Sequence, residues 1–266
     1  MAEPGSTNGL GLGSSGSPAP SVDEWAFVDL HCHTSASFDS LATPAAVVAA
    51  AVRRGLTHLA ITDHDTIDGA LAARAAAPAG LAVIVGQEIR TTDGDLIGTF
   101  LEWPIPRDLS AAEAIAAVRE QGGLVGIPHP FDRLRGSLGS ADRDRLLELA
   151  RRVDWIEAWN ARLLIGDGNA RAVALARDAG RPGVAVSDAH TTLEIGVAST
   201  VLSLGAGDPG STSGLLAGLA ANPRLMTGRA SIYVRAVTPV AKVVQRVRGR
   251  GRGPRSGASG RGDTRS

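Results

Sequence analysis

From Trp25 to about Val201 the chain alternates short apolar runs with alanine-rich stretches of helical spacing. The runs at 26–30, 59–62, 81–85, 124–127, 153–156 and 183–187 lack polar alternation, so they read as strands buried on both faces. Segments 43–54, 66–77, 110–121, 141–152 and 169–179 lie between them and read as helices. Thr43-Pro44 supplies an N-cap with proline at the first helical position, and Ser110 precedes Glu113 by three residues, a capping-box spacing. Gly55 and Gly180 are placed to end helices. Such repetition leaves few folds open: parallel strands joined by right-handed crossovers, in an open sheet or a barrel. Segment 95–101 is expected to pair antiparallel with 81–90 across Thr92-Asp93-Gly94, a local departure from the repeat. A last strand at 199–204, a last helix at 211–221 and a short amphipathic helix at 239–247, opened by Thr238-Pro239, complete the prediction.

Five of the six histidines stand in clusters just after these apolar runs: Asp29-Leu30-His31-Cys32-His33, Thr62-Asp63-His64-Asp65, Pro128-His129-Pro130 and Ser187-Asp188-Ala189-His190. Strand alternation points His31 and His33 to one side and turns Cys32 away as a small buried residue. Asp188 and His190 repeat that spacing. His64 is the ligand of its cluster, whereas Asp63 and Asp65 are expected to orient ligands or receive a proton. Capping of the next helix is the alternative for Asp65. Asp39 lies in a loop of small residues that can fold back over the strand end. Glu88 follows the run 81–85, and its carboxylate can bridge two cations, which a neutral imidazole cannot do. His129, between two prolines, is expected in an extended segment. His58 starts its strand, at the opposite end from His64, and is read as structural.

This order of motifs over residues 26–202 resembles the PHP (polymerase and histidinol phosphatase) family. The resemblance implies an α/β fold, a distorted (β/α)7 barrel with a trinuclear metal site at the C-terminal ends of the strands, hydrolysing phosphoesters. By that resemblance His31, His33, Glu88 and Asp188 hold one ion, Glu88 and His129 a second, and Asp39, His64 and His190 a third. In Glu157-Ala158-Trp159-Asn160, Asn160 stands where many members supply a stronger ligand to the second ion, and is a poor substitute. Mixed nitrogen and oxygen donors without thiolate suit two or three divalent ions of Mn, Fe, Zn or Mg. Arg135 and Arg133, just after His129, are the first candidates to orient substrate, followed by Arg162.

Composition narrows the function further. The sole lysine, Lys242, lies near the C-terminus, which excludes a carboxylated lysine bridging metals inside a barrel. Cys32 is the only cysteine, so no intrachain disulfide forms, in keeping with a reducing, cytoplasmic setting. No apolar run approaches 18 residues and no leader pattern opens the chain, so no membrane partner is expected. Residues 1–22 are read as a disordered Gly/Ser-rich segment, 23–237 as the catalytic domain, and 238–266 as a short helix with a disordered tail. That last segment carries eight basic residues against Asp263 alone, so the rest of the chain is net acidic. The expected activity is hydrolysis of a small phosphorylated substrate, such as a nucleotide mono- or bisphosphate, by metal-activated water. The alternative is a 5′–3′ exonuclease on short oligonucleotides, with the basic tail attracting nucleic acid; a non-catalytic metal-binding module ranks third.

Overall fold

The computed structural model describes residues 24–132, 143–163 and 165–250. Nine strands form one sheet: β1 (Trp25–Asp29), β2 (His58–Ile61), β3 (Ala82–Arg90), β4 (Asp95–Thr99), β5 (Leu124–Ile127), β6 (Trp155–Asn160), β7 (Gly183–Val186), β8 (Ser199–Ser203) and β9 (Arg224–Met226). Their spatial order is β7-β6-β5-β4-β3-β2-β1-β8-β9. Helices α1 (Pro44–Arg53), α2 (Asp68–Ala76), α3 (Ala111–Glu120), α4 (Arg143–Ala150), α5 (Gly168–Ala179), α6 (Thr212–Ala220), α7 (Ile232–Arg235) and α8 (Val237–Val247) follow or cover the strands.

β1, β2, β3, β5, β6 and β7 run in one direction, while β4 and β8 run against their neighbours. The hairpin expected around Thr92-Asp93-Gly94 is present, with Glu88 opposite Ile97 and Arg90 opposite Asp95. The sheet nearly closes into a barrel where the ends of β1 and β7 meet. There Asp188 N–H donates to the His31 carbonyl at 2.9 Å, and His33 N–H donates to the Ala189 carbonyl at 2.8 Å. Buried Asp29 strengthens this seam by accepting the Ser187 and Gly196 amides. Burial pushes its carboxyl up to about 6 despite those donors.

Local signals explain the element ends. The Thr43 hydroxyl accepts the Ala46 amide, and the Ser110–Glu113 capping box is formed in full. Gly180 caps α5 in the left-handed conformation with φ 64°. Three elements differ from expectation. β9 and α7 are too short to leave a periodic pattern in sequence. α8 begins at Val237, so Thr238 lies inside the helix, and its hydroxyl accepts from Arg162 Nη2 at 2.7 Å instead of capping the helix. No helix among the described residues is long and apolar enough to cross a membrane.

Candidate metal centre

Because the six parallel strands point the same way, their C-terminal ends gather at one mouth, and every histidine cluster lies there. His31 and His33 follow β1, His64 follows β2, Glu88 is on β3, His129 follows β5, and Asp188 and His190 follow β7. His64 is brought into register with Glu88 by a parallel bridge that continues the β2–β3 ladder.

Four donors converge first. His31 Nε2 and His33 Nε2 stand 3.0 Å apart. Glu88 Oε2 is 3.4 Å from each of them, and Asp188 Oδ1 is 3.7 and 3.6 Å away. A tetrahedral ion with bonds of about 2.1 Å has ligand–ligand edges of about 3.4 Å, so these atoms fit around one divalent cation. A second group holds Asp39 Oδ2, 3.4 Å from His64 Nε2 and 3.2 Å from His190 Nε2. His33, His64 and His190 offer ring nitrogens within one metal-sized cluster. The other oxygen of Glu88, Oε1, faces His129 Nε2 at 3.2 Å. One carboxylate therefore touches all three groups, since its Oε2 also lies 3.1 Å from His64 Nδ1.

Buried partners orient these ligands. His31 Nδ1 pairs with Glu157 Oε1 at 2.6 Å and His190 Nδ1 donates to the Asp188 carbonyl at 2.8 Å, leaving each Nε2 for a cation. Burial opposes a charged His31, but Glu157 and Asp188 outweigh it and hold the imidazole well above its ordinary range. Burial, aided by positive charge at His190, pushes His33 down to about 3, so that ring stays neutral and keeps a lone pair to donate. For Glu88 and Asp39 burial favours the neutral acid, yet the surrounding histidines outweigh it and both stay well below the usual carboxylate range. Asp39 Oδ1 is buried without a hydrogen-bond partner. A closed set of imidazoles and carboxylates with such an orphan oxygen suits divalent cations.

The backbone is strained at the same place. Asp65, His129 and Asp188 have positive φ of 58°, 23° and 51°, a region uncommon for non-glycine residues that Phe100, Asp108 and Asn222 also adopt elsewhere in the chain. For His129 this corrects the extended conformation expected between two prolines: its amide donates to Glu157 Oε2 at 2.7 Å, which turns the backbone.

Several roles read from sequence change. The Asp63 carboxylate accepts the Thr34 amide and hydroxyl at 2.6 and 2.7 Å, and burial raises it to about 6. It holds the loop after His33. Asp65 accepts the Arg90 amide at 3.1 Å and does not cap α2, whose N-cap is Ile67. Asn160 turns its amide nitrogen toward Glu157 Oε2 and Asp188 Oδ2, at 2.8 and 3.0 Å, so it braces carboxylates rather than offering an oxygen to an ion. Arg133 and Arg135 lie outside the described residues. Arg162 is buried, with Nε 3.5 Å from Glu194 Oε1, while the other Glu194 oxygen accepts the His190 amide. Cys32 and His58 stand apart as expected. The Cys32 thiol donates to the Ala60 carbonyl, and His58 Nε2 pairs with Asp208 at 2.9 Å.

Sequence reasoning had no signal for Glu157 as the partner of His31. It and Asn160 are three apart, which in a regular strand sets them on opposite faces. A register shift between Glu157 and Trp159 puts an extra residue into β6 and lets both reach the site.

The PHP domain family model matches residues 29–162, half of the chain and most of the ligand set. The chain belongs to the PHP family. A second model, PHP-associated, matches residues 166–221. An uncharacterized protein of Methanocaldococcus jannaschii is 38% identical over 144 residues, covering 50% of this chain and 81% of its own. A 5′-3′ exoribonuclease of Haemophilus influenzae is 33% identical over 117 residues, covering 39% of this chain and 42% of its own. Among solved structures, a two-domain Bacteroides vulgatus protein containing a predicted PHP-like metal-dependent phosphoesterase superposes with a TM-score of 0.63. That pair is 18% identical and covers 82% of this chain and 70% of the other. The likeness shows the shared PHP-type barrel.

Proposed function

We propose that this PHP protein is a metal-dependent hydrolase of phosphoester bonds, acting on a small phosphorylated substrate such as a nucleotide mono- or bisphosphate. The observation that carries the reading is the Glu88 carboxylate, whose two oxygens face different donor groups. A bridging carboxylate between neighbouring cations is the arrangement that two-metal phosphoryl chemistry uses. In this reading His31, His33, Glu88 and Asp188 hold one ion, Glu88 and His129 a more weakly held second, and Asp39, His64 and His190 a third. Mn, Fe, Zn and Mg all suit the donors. Bound there, the ions supply Lewis acidity for activating water and for offsetting charge on the phosphoryl oxygens. The protein's own part is to fix the ligands through Glu157, Asn160 and Glu194, and to present a cation to the substrate. Arg162 fits that last role, since its buried Nη1 has no hydrogen-bond partner. A reducing, cytoplasmic setting accords with the lone Cys32.

The second reading, a 5′–3′ exonuclease on short oligonucleotides, is favoured by the similarity to the exoribonuclease. A screen of phosphorylated metabolites and short oligonucleotides with each metal separates the two by relative kcat/KM. The double variant His31→Ala/Asp188→Ala is expected to lose hydrolysis and bound metal together, and full activity in it would overturn the site.

A further inference from the structure

The last helix lies beyond both family matches, which end at residues 162 and 221, yet both of its ends are tied to the ligand cluster. Near its start, Thr238 is bonded to Arg162, which faces Glu194, which in turn accepts the His190 amide. Near its end, Gln245 is completely buried. Its amide nitrogen lies 2.8, 3.1 and 2.7 Å from the carbonyl oxygens of Ser35, Ser37 and Ser40. Arg250 Nη1 donates to the Ser35 carbonyl as well, at 2.8 Å.

The loop that Gln245 grips is the one that carries Asp39. It also sets three imidazoles. The Ser37 hydroxyl accepts the His64 amide at 3.0 Å and pairs with His33 Nδ1 at 3.3 Å, and the Ser40 hydroxyl donates to the His190 carbonyl at 2.9 Å. Apart from Phe38, whose ring packs against His64 with centroids 4.8 Å apart, the glycine-free run Ser35-Ala36-Ser37-Phe38-Asp39-Ser40 has little side-chain bulk with which to fix its own path. Three carbonyls pointing inward would repel one another without a shared donor. An amide NH2 supplies two protons and no charge, which suits that position; a cationic side chain would add a charge to be buried.

We propose that Gln245 is a positioning residue for the Asp39–His64–His190 group, so that the C-terminal helix is a working part of the metal centre. The proposal rests on the metal-dependent reading above. Losing a buried partner that orients metal ligands costs about 10–100-fold in metal affinity. The test is metal binding to the full chain, by elemental analysis and by titration of the metal-stripped protein. Gln245→Met keeps the volume and removes the donors. It is expected to weaken the ion held by Asp39, His64 and His190 about 10–100-fold, and to weaken by less the ion at His31, His33, Glu88 and Asp188, whose link to this loop is the Ser37–His33 pair. Gln245→Asn keeps the amide but withdraws it by one methylene, and carries the same expectation should the methionine variant not fold. Val243→Ala, on the exposed face of α8, is the control and should bind as wild type. Wild-type affinity and stoichiometry in the Gln245 variants overturn the proposal. So does a fall in thermal stability that is equal with and without metal, the mark of a merely structural residue. If the wild-type chain itself takes up no divalent ion, the metal-dependent reading fails instead.

Discussion

Glu157 touches no substrate in the reading above, yet its two oxygens serve three partners: the His31 ring, the His129 amide and the Asn160 side chain. It aims ligands of two donor groups at once. Glu157→Gln keeps the shape but gives up the charge that holds the His31 proton on Nδ1. The expected result is a drop of about 10–100-fold in metal affinity and in kcat/KM, read by metal titration and by hydrolysis at saturating metal. Recovery of rate at high metal would place the defect in binding. An unchanged affinity would mean that His31 is oriented by packing alone. Asp63, by contrast, is expected from sequence to orient ligands or receive a proton, and its carboxylate bonds Thr34 in the loop after His33. Two acids flanking one histidine carry no mark in sequence of their different partners, because the strand has already ended there.

At the scale of elements, the parts most legible in the sequence are those with a period. Strand runs, helix caps and the β3–β4 hairpin follow from alternation, capping chemistry and turn residues, and Leu124–Ile127 is found at its expected bounds. What a period cannot carry is a break in it. The irregularity in β6 brings Glu157 and Asn160 to one side, and it leaves no signature in Glu-Ala-Trp-Asn. The role of Gln245 is equally silent, because a lone glutamine in an amphipathic helix reads as surface. Glycines report on packing more directly. A Cβ on Gly126 in β5 would lie 2.3 Å from the ring of Trp155, which is fully buried and has nowhere to go. Gly126→Ala is therefore expected to cost about 1–3 kcal/mol, measured as a shift of the denaturant midpoint with unchanged slope. A neutral midpoint would show that the β5–β6 packing yields more easily than the contact distances imply. Gly69 plays the same part beside the Asp63–Thr34 pair, where a Cβ would clash with the Asp63 carboxylate oxygen and the Thr34 hydroxyl.

Over the whole molecule, eight candidate ligands, all ionisable, are drawn from five strand ends and one loop, and all but His64 are buried. Bringing so many donors into van der Waals range is unfavourable without counter-charge. Cations that bind only the folded chain stabilise it by mass action, about 4 kcal/mol at a thousandfold excess over Kd. Chelation should thus lower the midpoint of thermal unfolding by several degrees, and a divalent ion, added back, should restore it. Identical melting curves for stripped and reloaded protein would count against bound ions as part of the native structure.

The tie between Gln245 and the Ser35–Ser40 carbonyls spans more than 200 residues of chain. The barrel seam between His31 and Asp188 spans about 150 residues. Contacts so distant in sequence close late, after the local strand–helix units have formed. The loop bearing Asp39 is thus synthesised well before the helix that secures it. Full metal loading becomes a report on α8: a polypeptide that stops before Val237 would keep all eight candidate ligands and lack the grip that sets them.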